Sequence, residues 1–191
     1  MPDQVKHRVH RPNIADDDWQ PVMVPRSNKK LVPISPDRVR RLREHLAEAL
    51  LAMRARATSA PPLKPAPDGF TARVVQTACT LCRGWCCRNG ADDAFLDDRT
   101  MARAAGDRPD LDAAGLLDLY IGRVPDAAFE NSCIFHGKQG CTLTHALRSD
   151  VCNAYFCGGL LAFMTDRDPP TATRIFAGEG DTLRTSSVLS P

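Results

Sequence analysis

Eight cysteines constrain this chain more than anything else in it, and all eight fall between positions 79 and 157. The first group is Cys79, Cys82, Cys86 and Cys87, and the second is Cys133, Cys141, Cys152 and Cys157. Any fold must bury these thiols singly, staple them as disulfides, or gather them around something. A lone cysteine behaves as a small buried apolar residue, but eight within 79 residues exceed what an ordinary core contains. Four thiolates are the natural complement of a zinc ion or an iron–sulfur cluster, and eight make two such sets.

The compartment decides between ligands and disulfides. Residues 1–10 are polar and basic and lack the apolar stretch of a secretory signal. No run of about 18 apolar residues occurs; residues 160–164 form the longest apolar stretch. A cytoplasmic location with no membrane partner is therefore expected, and clustered cysteines there read as ligands or redox centres before disulfides.

The hydrophobic fraction of 43 % permits a core, while 11 aromatic residues, 15 prolines and 12 glycines point to a modest one with much irregular structure. Metal cross-linking would supply stability that apolar burial alone does not. Charge is uneven. Residues 1–70 hold 13 Lys/Arg and 8 Asp/Glu, and residues 71–191 hold 12 and 15. A basic front half reads first as a solvated face.

Four segments are expected: an extended N-terminal arm over 1–34, an amphipathic helix and Pro-rich linker over 35–70, a cysteine-rich metal-binding domain over 71–165, and a C-terminal tail over 166–191. Prolines at 2, 12, 21, 25 and 33 interrupt the arm, and Trp19 is placed to pin it to the body. The helix over 36–57 has Ser35 to cap it, Pro36 at its first position and Asp37 in its first turn. Val39, Leu42, Leu46, Leu50 and Met53 recur at spacings of three and four on one face. Residues 58–68 carry four prolines and read as the linker, and 71–78 as a short strand or helix. Helices are expected over 94–105 and 110–124, a short helix over 143–151, and an edge strand over 171–176. The fold expected is mainly α and irregular, a small metal-centred domain with an N-terminal extension and an amphipathic helix.

The Cys79–Cys82 pair is expected in a tight turn that turns both sulfurs to one side, with Gly84 giving the chain room to fold back. Cys86 and Cys87 are adjacent and point in different directions, so one joins the first pair while its neighbour reaches a second centre or a substrate. Gly137 and Gly140 make a knuckle-like turn between Cys133 and Cys141. His136 and His145 lie near enough to serve as ligands but read first as hydrogen-bonded or exposed side chains. Arg148 and Asp150 read as a local ion pair or as donors and acceptors beside a sulfur.

Taken whole, Cys-x2-Cys-x3-Cys-Cys, then Cys-x7-Cys, then Arg-x3-Cys-x4-Cys resembles the CxxCxxCC (YkgJ-type) family of zinc- or iron-chelating proteins. The resemblance spans residues 79–157. It implies that Cys79, Cys82, Cys86, Cys87, Cys133, Cys141, Cys152 and Cys157 are metal ligands. The cysteine region of that family is similar to flagellin lysine-N-methylases, which use an iron–sulfur cluster. Here three residues separate Cys82 from Cys86 where the family name implies two, and Arg148 is followed by Ser149 rather than proline.

The function expected is a metal-binding protein that holds an iron–sulfur cluster, of the 4Fe–4S kind, in preference to zinc. Eight thiolates exceed one zinc's need, and the paired symmetry of a zinc ribbon is missing. By resemblance, an S-adenosylmethionine methyltransferase acting on a protein lysine is the alternative, although neither a glycine-rich nucleotide loop nor a radical Cys-x3-Cys-x2-Cys signature is present. A zinc-stapled interaction module, with the basic helix 36–57 binding a protein partner, is the third reading. Nucleic-acid binding is not expected, because the basic residues are not interleaved with aromatics.

Overall fold

The longest element follows the apolar stripe. In the computed structural model, which describes residues 19–57, 59, 62–166, 172–179 and 182–191, helix α1 runs Pro36–Arg56 with proline in its first turn and Asp37 beside it. Ser35 holds the capping position, but its side chain makes no capping bond. Leu42, Leu46, Ala49 and Leu50 are buried. They meet Met101 and Ala104 of helix α3 (Asp98–Asp107) and Leu116 and Tyr120 of helix α4 (Ala113–Ile121). Both of those helices are capped by an aspartate: Asp97 accepts from the Thr100 N–H and Asp112 from the Gly115 N–H, at 2.8 Å each. Ile134, Phe135, Leu143 and Leu147 complete this first core.

Five arginines of α1 form ion pairs within the chain. Arg38 and Arg41 hold Asp92, Arg40 holds Glu44, Arg43 reaches Asp118, and Arg56 reaches Asp98. Its basic face therefore ties the helix to the body.

A second core lies against a sheet. Strand β1 (Gln20–Pro25) pairs parallel with β6 (Thr173–Glu179), which pairs antiparallel with β7 (Thr182–Thr185). The order β1–β6–β7 makes β6 the central strand. Val22, Val24, Ile175 and Ala177 pack against Val74, Ala78 and Cys82 of helix α2 (Gly69–Cys82) and Leu160 of helix α6 (Gly158–Thr165). Trp19 stacks on Phe176 with ring centroids 5.6 Å apart. Two short ribbons finish the structure. One joins β2 (Leu31–Pro33) to β3 (Ala127–Phe129), and the other joins β4 (His136–Gly137) to β5 (Gly140–Cys141).

The expectation of a mainly α fold is corrected. Helix accounts for 45 % and strand for 17 %, so the architecture is an α/β mix. The discrepancy arises at the two ends of the chain. Gln20–Pro25 sits within the segment expected to be an arm, and Thr173–Glu179 within the expected tail. Pro21 and Pro25 suggested breaks, but β1 is an edge strand, where proline is tolerated. Residues 171–176 were expected at an edge, yet β6 is flanked on both sides. The part of the arm up to residue 18, Thr58, Ala60 and Pro61 of the linker, and 167–171 and 180–181 of the tail lie outside the described residues.

Candidate metal centre

The first cysteine pair does not sit in a turn. Cys79 and Cys82 occupy the last turn of α2, three residues apart and so on one helical face. The turn follows them: Arg83 and Gly84 take φ of 53° and 77°, and the chain reverses. Cys82 is tied to the chain just after β1, where its carbonyl accepts from the Ser27 N–H at 2.8 Å, and to the turn after α2, where its sulfur accepts from the Trp85 N–H at 3.3 Å. Cys86 and Cys87 enter the short 3₁₀ turn Cys87–Gly90.

The second group comes from four further pieces. Cys133 donates its N–H to the Cys87 carbonyl at 3.0 Å. A Cβ on Gly90 would lie 3.3 Å from the Cys133 sulfur, so that thiol faces the turn carrying Cys87. Cys141 ends the β4–β5 hairpin, paired with His136, and Gly140 takes φ 100° to close it. The expected helix over 143–151 is instead a 3₁₀ turn, His145–Leu147, and a separate helix α5 (Asp150–Ala154). Ser149 caps α5 by accepting from the Cys152 N–H, and the Cys152 thiol lies 3.8 Å from the Ala94 carbonyl oxygen. Cys157 holds the capping position of α6.

All eight cysteines are free thiols. Cys82 and Cys133 are buried, Cys79 and Cys152 reach the surface, and the rest are half-buried. Among the described residues no three His, Cys, Asp or Glu side chains stand close enough together to hold an ion. The thiols nevertheless feel one another. Desolvation of the sulfur, with smaller contributions from the charges of Cys86, Cys82 and Cys157, pushes Cys79 up to about 12 although part of the residue reaches the surface. Burial also raises Cys82 to about 11, with Cys86 and Cys157 contributing. Cys133 is pushed up to about 12, first by burial and then by Cys141 and Cys152. Cys152 and Cys157 are raised for the same first reason. The neighbouring Cys87 thiol brings Cys86 down to about 7, and Cys86 together with burial raises Cys87. Arginine opposes this repulsion, Arg148 at Cys79 and Cys152, and Arg38 at Cys133.

His136 departs from its expected role. It is 2 % exposed, and its Nδ1 has no hydrogen-bond partner. A Cβ on Gly84 would fall 2.5 Å from that nitrogen, so the imidazole lies against the turn between Cys82 and Cys86. Burial lowers it to about 4 and keeps the ring neutral, the form that ligates metal. The local pair expected between Arg148 and Asp150 is not formed. Arg148 donates to the Leu143 carbonyl at 3.0 Å, and Asp150 takes the buried Arg103 at 2.7 Å. Arg103, 4 % exposed, also donates to the Arg148 and Ala146 carbonyls. It thereby holds the 145–150 segment that positions Cys152. Nothing in its sequence context marks it for this role.

Eight unoxidised thiols and a neutral buried imidazole with a free nitrogen are soft donors of the kind zinc or iron takes. It is the type of donor, and not the arrangement, that suits such a metal. Comparison with family models, with curated proteins and with solved structures finds no match to this chain. Among the described residues no helix is long and apolar enough to cross a membrane.

Proposed function

We propose that this chain is a cytoplasmic metal-binding protein whose clustered thiolates hold an iron–sulfur cluster. The observation that carries the reading is that cysteines from six separate elements or turns, all free thiols, come near enough for several to raise one another's pKa. Repulsion of that kind is costly for thiolates and is relieved by a cation at their centre. The likeness of the cysteine spacing to the CxxCxxCC family supports the same reading.

The residues divide the work. Cys79, Cys82, Cys86, Cys87, Cys133, Cys141, Cys152 and Cys157 supply sulfur and release protons on binding. Arg148 and Arg38 offset the charge of the ligated set. A cluster held here would supply electron transfer, or a Lewis-acid site at an iron left open. A partner on the basic face of α1 would first have to displace the ion pairs that α1 makes within the chain, so we place no partner there.

The test is purification without oxygen, followed by elemental analysis, sulfide analysis and absorption spectroscopy. Brown protein absorbing near roughly 400 nm, with iron and acid-labile sulfide, is the expected result. Colourless protein carrying zinc would replace the cluster with a zinc-stapled module, and protein carrying no metal would end the reading altogether.

A further inference from the structure

We propose that the face around the turn 83–90 and the β4–β5 hairpin is a docking surface for an acidic protein. Arg83, Arg88 and Lys138 meet its carboxylates, and the exposed side of α5 meets its apolar residues. The inference counts side chains outside the sulfur set and is independent of what the thiols hold.

Charge along the chain points to this face. All eight cysteines fall within three segments, 69–91, 131–149 and 151–165, and none of the three holds an Asp or Glu. The acid between the last two is Asp150, which is held by the buried Arg103 at 2.7 Å. The same segments carry Arg73, Arg83, Arg88, Lys138 and Arg148. Two of these have partners in the chain: Arg73 donates to the Ser190 carbonyl and Arg148 to the Leu143 carbonyl. Among the described residues the side chains of Arg83, Arg88 and Lys138 make no ion pair and no hydrogen bond. The arginines of α1 are the contrast, since five of them are matched to carboxylates.

The fold brings the three cations to one place. Gly84 lies against the His136 ring, where a Cβ would fall 2.5 Å away, so the turn carrying Arg83 and Arg88 is seated on strand β4. Lys138 follows β4 at the tip of that hairpin, and Thr80 near the end of α2 donates to the neighbouring Gln139 carbonyl at 3.4 Å. Arg83 lies over the Phe129 ring, 5.8 Å from its centroid, and Arg88 over the Trp85 ring at 4.7 Å. Each ring orders a long side chain and leaves guanidinium N–H groups to bond an acceptor in their plane.

Apolar surface adjoins the charge. Arg148 ties the chain just before α5 to the chain just after the hairpin. Val151 and Tyr155 are four residues apart and so lie on one side of α5 and its cap, 54 % and 56 % exposed. Arginine, tyrosine and tryptophan are the side chains that protein interfaces favour. Nucleic acid is held through many phosphate contacts, and three cations beside an apolar ridge suit a protein bearing carboxylates instead.

The test uses the full chain purified anaerobically. Its probes are a fluorescent peptide of glutamate and leucine, the same peptide with glutamine for glutamate, and a single-stranded oligonucleotide of equal charge. Fluorescence anisotropy should show the acidic peptide binding, more weakly as salt rises, and the glutamine peptide not binding. Arg83→Gln/Arg88→Gln/Lys138→Gln should weaken binding by about tenfold. Arg54→Gln/Arg99→Gln/Arg123→Gln removes the same charge from the helical side of the molecule and should leave binding unchanged. Unchanged binding in the first variant, or equal loss in both, would overturn the assignment. So would failure of the acidic peptide to bind, or tighter binding of the oligonucleotide. Wild-type protein gives a reading that needs no variant: carbodiimide coupling of the acidic peptide should mark Lys138 ahead of Lys29, Lys30 and Lys64, and coupling that passes over Lys138 would count against the surface. None of these outcomes turns on metal content, so the metal-binding reading stands or falls separately.

Discussion

Gly159 is where helix α6 touches strand β1, and replacing it tests whether that contact fixes the position of Cys157. A Cβ at residue 159 would lie 1.7 Å from the Met23 carbonyl oxygen and 2.8 Å from its carbon. Carbon and oxygen do not ordinarily approach nearer than about 3.3 Å, so the helix would have to retreat by roughly 1.5 Å. Met23 cannot step aside: the atoms concerned are main chain, and the strand is paired along its length with β6. Overpacking of this kind costs about 1–3 kcal/mol, and an unyielding neighbour puts Gly159→Ala near 3 kcal/mol. Gly158 is the built-in control. A Cβ there meets nothing within 4 Å, and alanine is favoured over glycine in a helix by up to about 1 kcal/mol. Urea unfolding of the two variants should therefore separate them by roughly 3 kcal/mol, with Gly158→Ala at or above the wild type. Cys157 caps the displaced helix, so Gly159→Ala should also expose Cys157 to alkylation. Gly159→Ala with wild-type stability, or two variants of equal stability, would refute the argument.

Three further outcomes follow from other contacts. Gly84→Ala combines a left-handed backbone with a collision on the buried His136 ring, so it should lose roughly 3 kcal/mol in urea unfolding; Gly69→Ala, also at positive φ but in open space, should lose only about 1 kcal/mol. Removing Arg103 as Arg103→Met leaves the Arg148 and Ala146 carbonyls and Asp150 without their donor. A loss of about 3 kcal/mol is expected, together with faster alkylation of Cys152. Tyr120 is fully buried with its hydroxyl on the Leu147 carbonyl at 3.1 Å, and desolvation raises its pKa. Its neutral form therefore stabilises the fold at full strength below the unfolded value of about 10, and that stability is lost as pH rises towards the folded value. Tyr120→Phe should be less stable than wild type by about 1 kcal/mol at neutral pH, and the gap should close in alkaline urea titrations; a gap independent of pH would contradict the burial.

The parts of the fold that could be read from the sequence are those with local causes. The stripe from Val39 to Met53 needs only its own spacing, and α1 ends one residue short of the helix expected over 36–57. The three-stranded sheet has no such local cause. Val22 and Ile175 form a register pair although most of the chain separates them, and neither stretch alternates strongly enough to declare itself. The α2 segment was open between strand and helix because Val74, Val75 and Ala78 suit either. The choice of helix changes how Cys79 and Cys82 are presented. The eight thiols stood out by density alone. His136 was visible as a residue but not as a buried one, since its burial depends on Gly84 and Phe129 arriving from elsewhere.

The parallel pairing of β1 with β6 also sets an order in time. The helical core draws its residues from 42 to 147 and can close while later residues are still being made. The sheet-side core needs Ile175 and Ala177 beside Val22 and Val24, so it waits for the last strands to leave the ribosome. On a growing chain the core around Cys133 acquires its packing first, while Cys79 and Cys82 remain on a helix with nothing yet to pack against. A truncation before residue 173 should accordingly be handled by the cell as a half-built protein, its helical core packed and its sheet-side core open.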